Sequence, residues 1–85
     1  MKINVKYFAS VREAVGAGSE SLEVPGDAST VGAVRELLVS RGGVWEEALG
    51  EKRAVRTACQ QLMCGPETQV EDGAEVAFFP PVTGG

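Results

Sequence analysis

Residues 72–85 read Asp72-Gly73-Ala74-Glu75-Val76-Ala77-Phe78-Phe79-Pro80-Pro81-Val82-Thr83-Gly84-Gly85. Asp-Gly is turn chemistry, because glycine supplies a positive φ and aspartate bonds to its own nearby backbone. The run from 75 to 79 is then almost wholly apolar. A strand with one wet face alternates, whereas one covered on both faces does not, so this run is expected at the centre of a sheet. Pro80 and Pro81 lock φ and remove two N–H donors, so the strand stops there. The residues beyond are expected to project in an extended form and to end in a slim, mobile Gly-Gly tip. Six residues from 80 to 85 reach ~20 Å. The chain thus divides into a domain over 1–79 and a flexible C-terminal tail over 80–85.

Outward from that strand, residues 2–8 alternate, with Ile3, Val5 and Tyr7 on one face and Lys2, Asn4 and Lys6 on the other. This is the pattern of a strand with one solvated face. Ser10-Val11-Arg12-Glu13 matches a capping box with Ser10 as N-cap, and Gly16 suits a C′ position after a short helix. Leu22 and Val24 mark a second strand, antiparallel to the first, ended by Pro25-Gly26-Asp27. Val31, Val34, Leu37 and Leu38 share one helical face behind Thr30, the expected N-cap of the main helix. Gly42-Gly43 closes that element, and Trp45, Ala48 and Leu49 add a further helical turn before Gly50. Trp45 is expected in a satellite cluster. Residues 55–64 read as two short strands about a turn at Gln60-Gln61, although Gln-Gln lacks the left-handed preference of Asn-Gly. The order is β, short α, β, long α, short α, β, β, β. An α+β fold follows, with a mixed sheet of about five strands covered by one main helix plus short helices. Its hairpin, crossing helix and later strands resemble the ubiquitin-like β-grasp, in which first and last strands lie side by side. The alternative is a ferredoxin-like sandwich.

Eighty-five residues suffice for one domain. At 44% apolar and 24% charged, the composition is that of a globular chain. With no apolar run of 18 residues and no leader pattern at Met-Lys-Ile-Asn-Val-Lys, no membrane partner is expected and the cytoplasm is the expected compartment. The formal charge is −4, and all of it lies in the second half: residues 44–85 carry three basic and seven acidic side chains. Nucleic-acid binding needs a basic footprint to displace counterions, so that class is excluded. The acidic half is read as a solvated surface, or as one that docks on a basic partner.

Histidine is absent, which removes most catalytic triads and the commonest zinc ligand. Cys59 and Cys64 have no histidine to serve as base, and free cysteine packs as a small hydrophobe, so core packing is expected of both. No metal site is expected. Glu46, Glu47, Glu71, Asp72 and Glu75 fall in helix-edge and turn sequences, where carboxylates solvate the surface. What remains is the tail. A stiff Pro-Pro base with a tip lacking Cβ atoms suits delivery of a terminal carboxylate into a narrow foreign pocket.

The octapeptide from Phe78 to Gly85, with Asp72-Gly73-Ala74-Glu75-Val76-Ala77 before it, resembles the C-terminal signature of the small, sulfur-carrier subunits of molybdopterin synthase. Tyr7-Phe8-Ala9-Ser10-Val11-Arg12-Glu13 is similar to that family's Phe-Ala-x-x-Arg-Glu stretch, and Thr30-Val31 with Leu37 to the start of its main helix. The family usually has Asn where this chain has Gln60. The resemblance implies a non-catalytic, sulfur-donating subunit of a two-subunit sulfurtransferase. Gly85 would carry the adenylate and then the thiocarboxylate, with Pro80, Pro81, Val82, Thr83 and Gly84 in a partner channel. Phe78 or Phe79 would form a docking patch, or else belong to the chain's own core. The implied partners are the synthase large subunit, in a 2+2 heterotetramer, and an adenylating and sulfurating enzyme. ATP is used by that enzyme, and this chain itself binds no cofactor. The alternatives are a thiamine-type sulfur carrier, a ubiquitin-like protein modifier, and a plain interaction module.

Overall fold

The computed structural model describes residues 1–26 and 30–81. The elements are β1 (Lys2–Tyr7), α1 (Ala9–Val15), β2 (Ser19–Glu23), α2 (Val31–Val39), α3 (Val44–Leu49), β3 (Arg56–Cys59), β4 (Leu62–Cys64) and β5 (Glu75–Phe79). One five-stranded sheet runs in the order β2-β1-β5-β3-β4. β1 is antiparallel to β2 and parallel to β5, and β3 is antiparallel to both β5 and β4. This is the ubiquitin-like β-grasp. A ferredoxin-like sandwich opens with a split βαβ unit, which the direct antiparallel pairing of β1 with β2 rules out.

The alternation in β1 becomes a division of faces. Ile3, Val5 and Tyr7 are buried, and they meet Val76 and Phe78 of β5 and Val31, Val34 and Leu38 of α2 in one core. Thr30 caps α2 as expected, its Oγ1 accepting the Ala33 N–H at 3.1 Å. β5 lies mid-sheet, with Val76, Ala77 and Phe78 all buried. The turn before it is tied to β1 from both sides. Asp72 Oδ1 accepts the Lys2 N–H at 2.7 Å, and the Gly73 N–H donates to the Lys2 carbonyl at 2.7 Å. Gly73 has φ 83°, which glycine adopts without strain. Gly16 takes the expected left-handed position after α1.

Three local expectations change. Ser10 is not the N-cap of α1. Phe8 holds that place, and no side chain caps the helix. The reason is tertiary: the Phe8 N–H bonds to the Phe78 carbonyl at 3.1 Å, keeping Phe8 extended against β5. Ala9, at φ 51°, then turns the chain straight into the helix. Second, Trp45 is no satellite, because it packs edge-on to Tyr7 with ring centroids 5.5 Å apart, against the main core. Third, Cys59 and Cys64 are half-buried at the core's margin rather than inside it.

The Gln60-Gln61 turn forms despite its residues. Both adopt positive φ, 54° and 66°, the pattern of a two-residue hairpin that normally calls for Asn-Gly. Gln60 is compensated, since its Oε1 accepts the Glu75 N–H at 2.6 Å while its own N–H donates to the Glu75 carbonyl at 3.0 Å. Gln61 is exposed and has no such bond among the described residues. Gln61→Gly is therefore expected to raise stability by about 0.5–1 kcal/mol, whereas Gln60→Gly gains no stability because it forfeits the bond to β5. Urea denaturation of the two variants checks this.

Candidate functional site

Pro80 and Pro81 follow directly on the central strand β5. Phe78 is fully buried. Tyr7 stacks on it at a centroid distance of 6.4 Å and an interplanar angle of 17°. Its carbonyl accepts the Phe8 N–H, and its Cα partner across β3 is Thr57. Phe79 pairs with Arg56 and is half-buried, as are Pro80 and Pro81. Val82, Thr83, Gly84 and Gly85 lie outside the described residues. Of the two alternatives for Phe78, docking patch or the chain's own core, this burial selects the core. Alternation along β5 turns its ring into the core, and Phe79 takes the opposite face.

That opposite face is the side of the sheet not covered by α2. Register and alternation place Ala77 and Phe79 of β5 there, with Arg56 and Ala58 of β3, Met63 of β4 and Lys6 of β1. Met63 is 62% exposed. Phe8, extended and 47% exposed, continues β1 toward the same end. A small apolar surface thus lies beside the tail's root. Sequence reasoning missed Met63 and Phe8. The signal was present in Leu62-Met63, two apolar neighbours that cannot both face the core of a strand.

A polar cluster braces the same end of the sheet from the helix side. The Tyr7 hydroxyl donates to Glu20 Oε2 at 3.0 Å, and Arg41 bonds both Glu20 oxygens at 3.0 and 2.7 Å. The Arg41 guanidinium also lies 4.4 Å from the centroid of Trp45. Burial pushes the Tyr7 hydroxyl well above the usual tyrosine range, and Glu20 adds to the effect, so it stays protonated as a donor. The Arg41 bonds hold Glu20 below the usual carboxylate range against the opposing effect of burial.

Little else supplies reactivity. Burial raises the Cys59 thiol, with Cys64 and Glu71 adding to it, which disfavours the nucleophilic thiolate. The Cys64 thiol faces Thr57 Oγ1 at 3.6 Å. Asp72 and Glu75 are engaged structurally, by the Lys2 N–H and by Lys6 Nζ at 3.1 Å. Among the described residues no three Cys, Asp or Glu converge on one point, and no helix is long and apolar enough to cross a membrane.

The model of the ThiS family matches residues 5–85. The chain belongs to the ThiS family. A curated relative, the molybdopterin synthase sulfur carrier subunit of Haemophilus influenzae (strain ATCC 51907 / DSM 11121 / KW20 / Rd), is 42% identical over 83 residues. That match spans 98% of this chain and 99% of the relative. Among solved structures, the putative molybdopterin converting factor, subunit 1 from Pyrococcus furiosus superposes with TM-score 0.79 at 27% identity, covering 96% of this chain and 99% of that one. A chain from the complex of subunits 1 and 2 of the molybdopterin-converting factor of Helicobacter pylori 26695 superposes with TM-score 0.70 over the whole of both chains. At 20% identity that last likeness is one of fold.

The Glu20 bridge gives this family member a pH signature. Its folded-state pKa is depressed, so the unfolded chain binds the proton first as pH falls. The stability it contributes is present above the ordinary glutamate range and disappears as pH drops through the folded value. The stability gap between the unaltered protein and Glu20→Gln is expected to narrow from pH ~6 to pH ~3, as measured by urea denaturation at each pH.

Proposed function

We propose that this chain is the sulfur carrier subunit of molybdopterin synthase and that its reactive group is the carboxylate of Gly85. A carboxylate is a poor acyl donor, because oxide would have to leave. A partner enzyme uses ATP to form the acyl adenylate, with pyrophosphate released. A persulfide sulfur on the activating machinery then displaces AMP, and a second thiol there attacks the resulting acyl disulfide, which forms a disulfide on that machinery and releases a thiocarboxylate on Gly85. The tail next enters the synthase large subunit, where the sulfur attacks cyclic pyranopterin monophosphate. The sulfur replaces a carbon-bound oxygen of the pterin side chain, which leaves as the opened phosphate ester at one carbon and as water at the other; water then cleaves the acyl–sulfur bond, restoring the Gly85 carboxylate and leaving the sulfur on carbon, and two such transfers build the dithiolene. The assembly is a 2+2 heterotetramer working in the cytoplasm.

The observation that carries this reading is the root of the tail. A central strand is buried up to Phe78 and passes directly into Phe79-Pro80-Pro81, where two prolines end the ladder. The name borne by the 42% identical relative favours the molybdopterin pathway over the thiamine-type alternative. The Helicobacter pylori complex of subunits 1 and 2 gives a precedent for a large-subunit partner on this fold. Phe79, Ala58 and Met63 serve as the docking face. Gly84 gives clearance in the partner's channel, with Val82 and Thr83 in contact with its walls. The scarcity of acid–base groups in the chain follows, since activation and transfer chemistry are the partners' work.

Incubation with a cognate activating enzyme, ATP and a sulfur donor is expected to raise the intact mass by about 16 Da, one oxygen exchanged for sulfur. High-mass adducts to other proteins would instead point to the modifier role, and an unchanged mass would defeat the carrier reading. Gly84→Val is expected to leave the urea transition unchanged and to cut sulfur transfer to the synthase at least tenfold, about 1.4 kcal/mol in the transfer barrier. Full synthase activity in that variant would show that glycine is not there for clearance.

A further inference from the structure

Beside Phe79, the docking face carries a cation that is unpaired among the described residues. Arg56 stands opposite Phe79 in the β3–β5 ladder, so the two side chains are neighbours on the open face at the end from which the tail leaves. Arg56 is exposed, and among the described residues its guanidinium has no hydrogen bond or ion pair. Of the other arginines three are engaged, while Arg12, on α1, also has no hydrogen bond or ion pair among the described residues. Arg35 bonds the carbonyls of Leu49, Gly50 and Arg53, Arg41 bonds Glu20, and Arg53 bonds the Glu47 carbonyl. Lys6, on the same face, is held by Glu75 at 3.1 Å.

The setting adds a second observation. The whole chain is acidic, at −4. Yet the open face presents Lys2, Lys6 and Arg56 against Glu23 and Glu75, a local excess of positive charge. A partner with carboxylates facing this surface is attracted to it and repelled by the rest of the molecule, so charge selects the orientation of approach. Arginine suits such a contact because it is always ionised, presents a planar fork to a carboxylate, and tolerates an apolar neighbour.

We propose that Arg56 is a specificity-determining residue of the docking face, pairing with a carboxylate on the synthase large subunit beside the mouth of the channel that receives the tail. This rests on the carrier reading above and deepens it. The apolar centre at Ala58, Met63 and Phe79 supplies contact area, and the Arg56 pair sets the register in which the tail meets the channel.

The test measures association of the full chain with the cognate large subunit at about 50 mM and about 300 mM salt. Unaltered protein, Arg56→Glu and Arg56→Lys are compared. Arg56→Glu is expected to slow association about tenfold at low salt, with the deficit closing at high salt, and Arg56→Lys to stay within about threefold of the unaltered chain. Unchanged urea transitions in both variants establish that the fold is intact, as expected for an exposed position. Equal association by Arg56→Glu and the unaltered chain at low salt overturns the inference and leaves the carrier reading standing. Absence of any binding by the unaltered chain overturns both.

Discussion

The parallel pairing of β1 with β5 is the constraint on which the rest of the molecule depends. It joins Asn4 to Glu75, Val5 to Val76, Lys6 to Ala77 and Tyr7 to Phe78, residues from opposite ends of the chain. Closing so long a loop costs conformational entropy that only a substantial apolar gain can offset. The gain is the stack of Val5, Val76, Tyr7 and Phe78 beneath α2, all fully or almost fully buried. Once β5 is placed mid-sheet, its neighbours are committed. β3 must take the other side, and the chain must emerge from the middle of the sheet rather than from an edge.

That placement separates holding from presenting. The helix side is spent on the core and on the Tyr7–Glu20–Arg41–Trp45 cluster, which ties β1 and β2 to the region between α2 and α3. Each polar group in the cluster that leaves water finds a partner, so burial there is not penalised. The open side has no helix over it, and its apolar side chains stay partly exposed next to the departing chain.

The residues show which parts of this were legible without coordinates. Alternation in residues 2–8, the apolar run Val76-Ala77-Phe78-Phe79, Thr30 and Gly16 each specify local structure through interactions within a few residues, and each appears as read. Ser10 misled because a capping box is a local preference, and the bond from the Phe8 N–H to Phe78 outweighs it. The turn at Gln60-Gln61 was placed by the strands on either side, and what lets Gln60 hold its left-handed backbone was hidden, because that compensation comes from Glu75, fifteen residues away in the chain. Trp45 was assigned to the wrong cluster for the same reason: its partners Tyr7 and Arg41 are brought together only by the completed fold.

By itself, the sequence determined the elements, the central burial of the last strand, and the Pro-Pro stop behind it. These follow from side-chain period, proline's fixed φ and its missing N–H, properties carried by short segments wherever they sit. Tertiary structure alone decided which of two adjacent phenylalanines faces the core, and that Arg56 stands beside the outward one. Both depend on strand register across the sheet, and register is settled by contacts between residues remote in the chain.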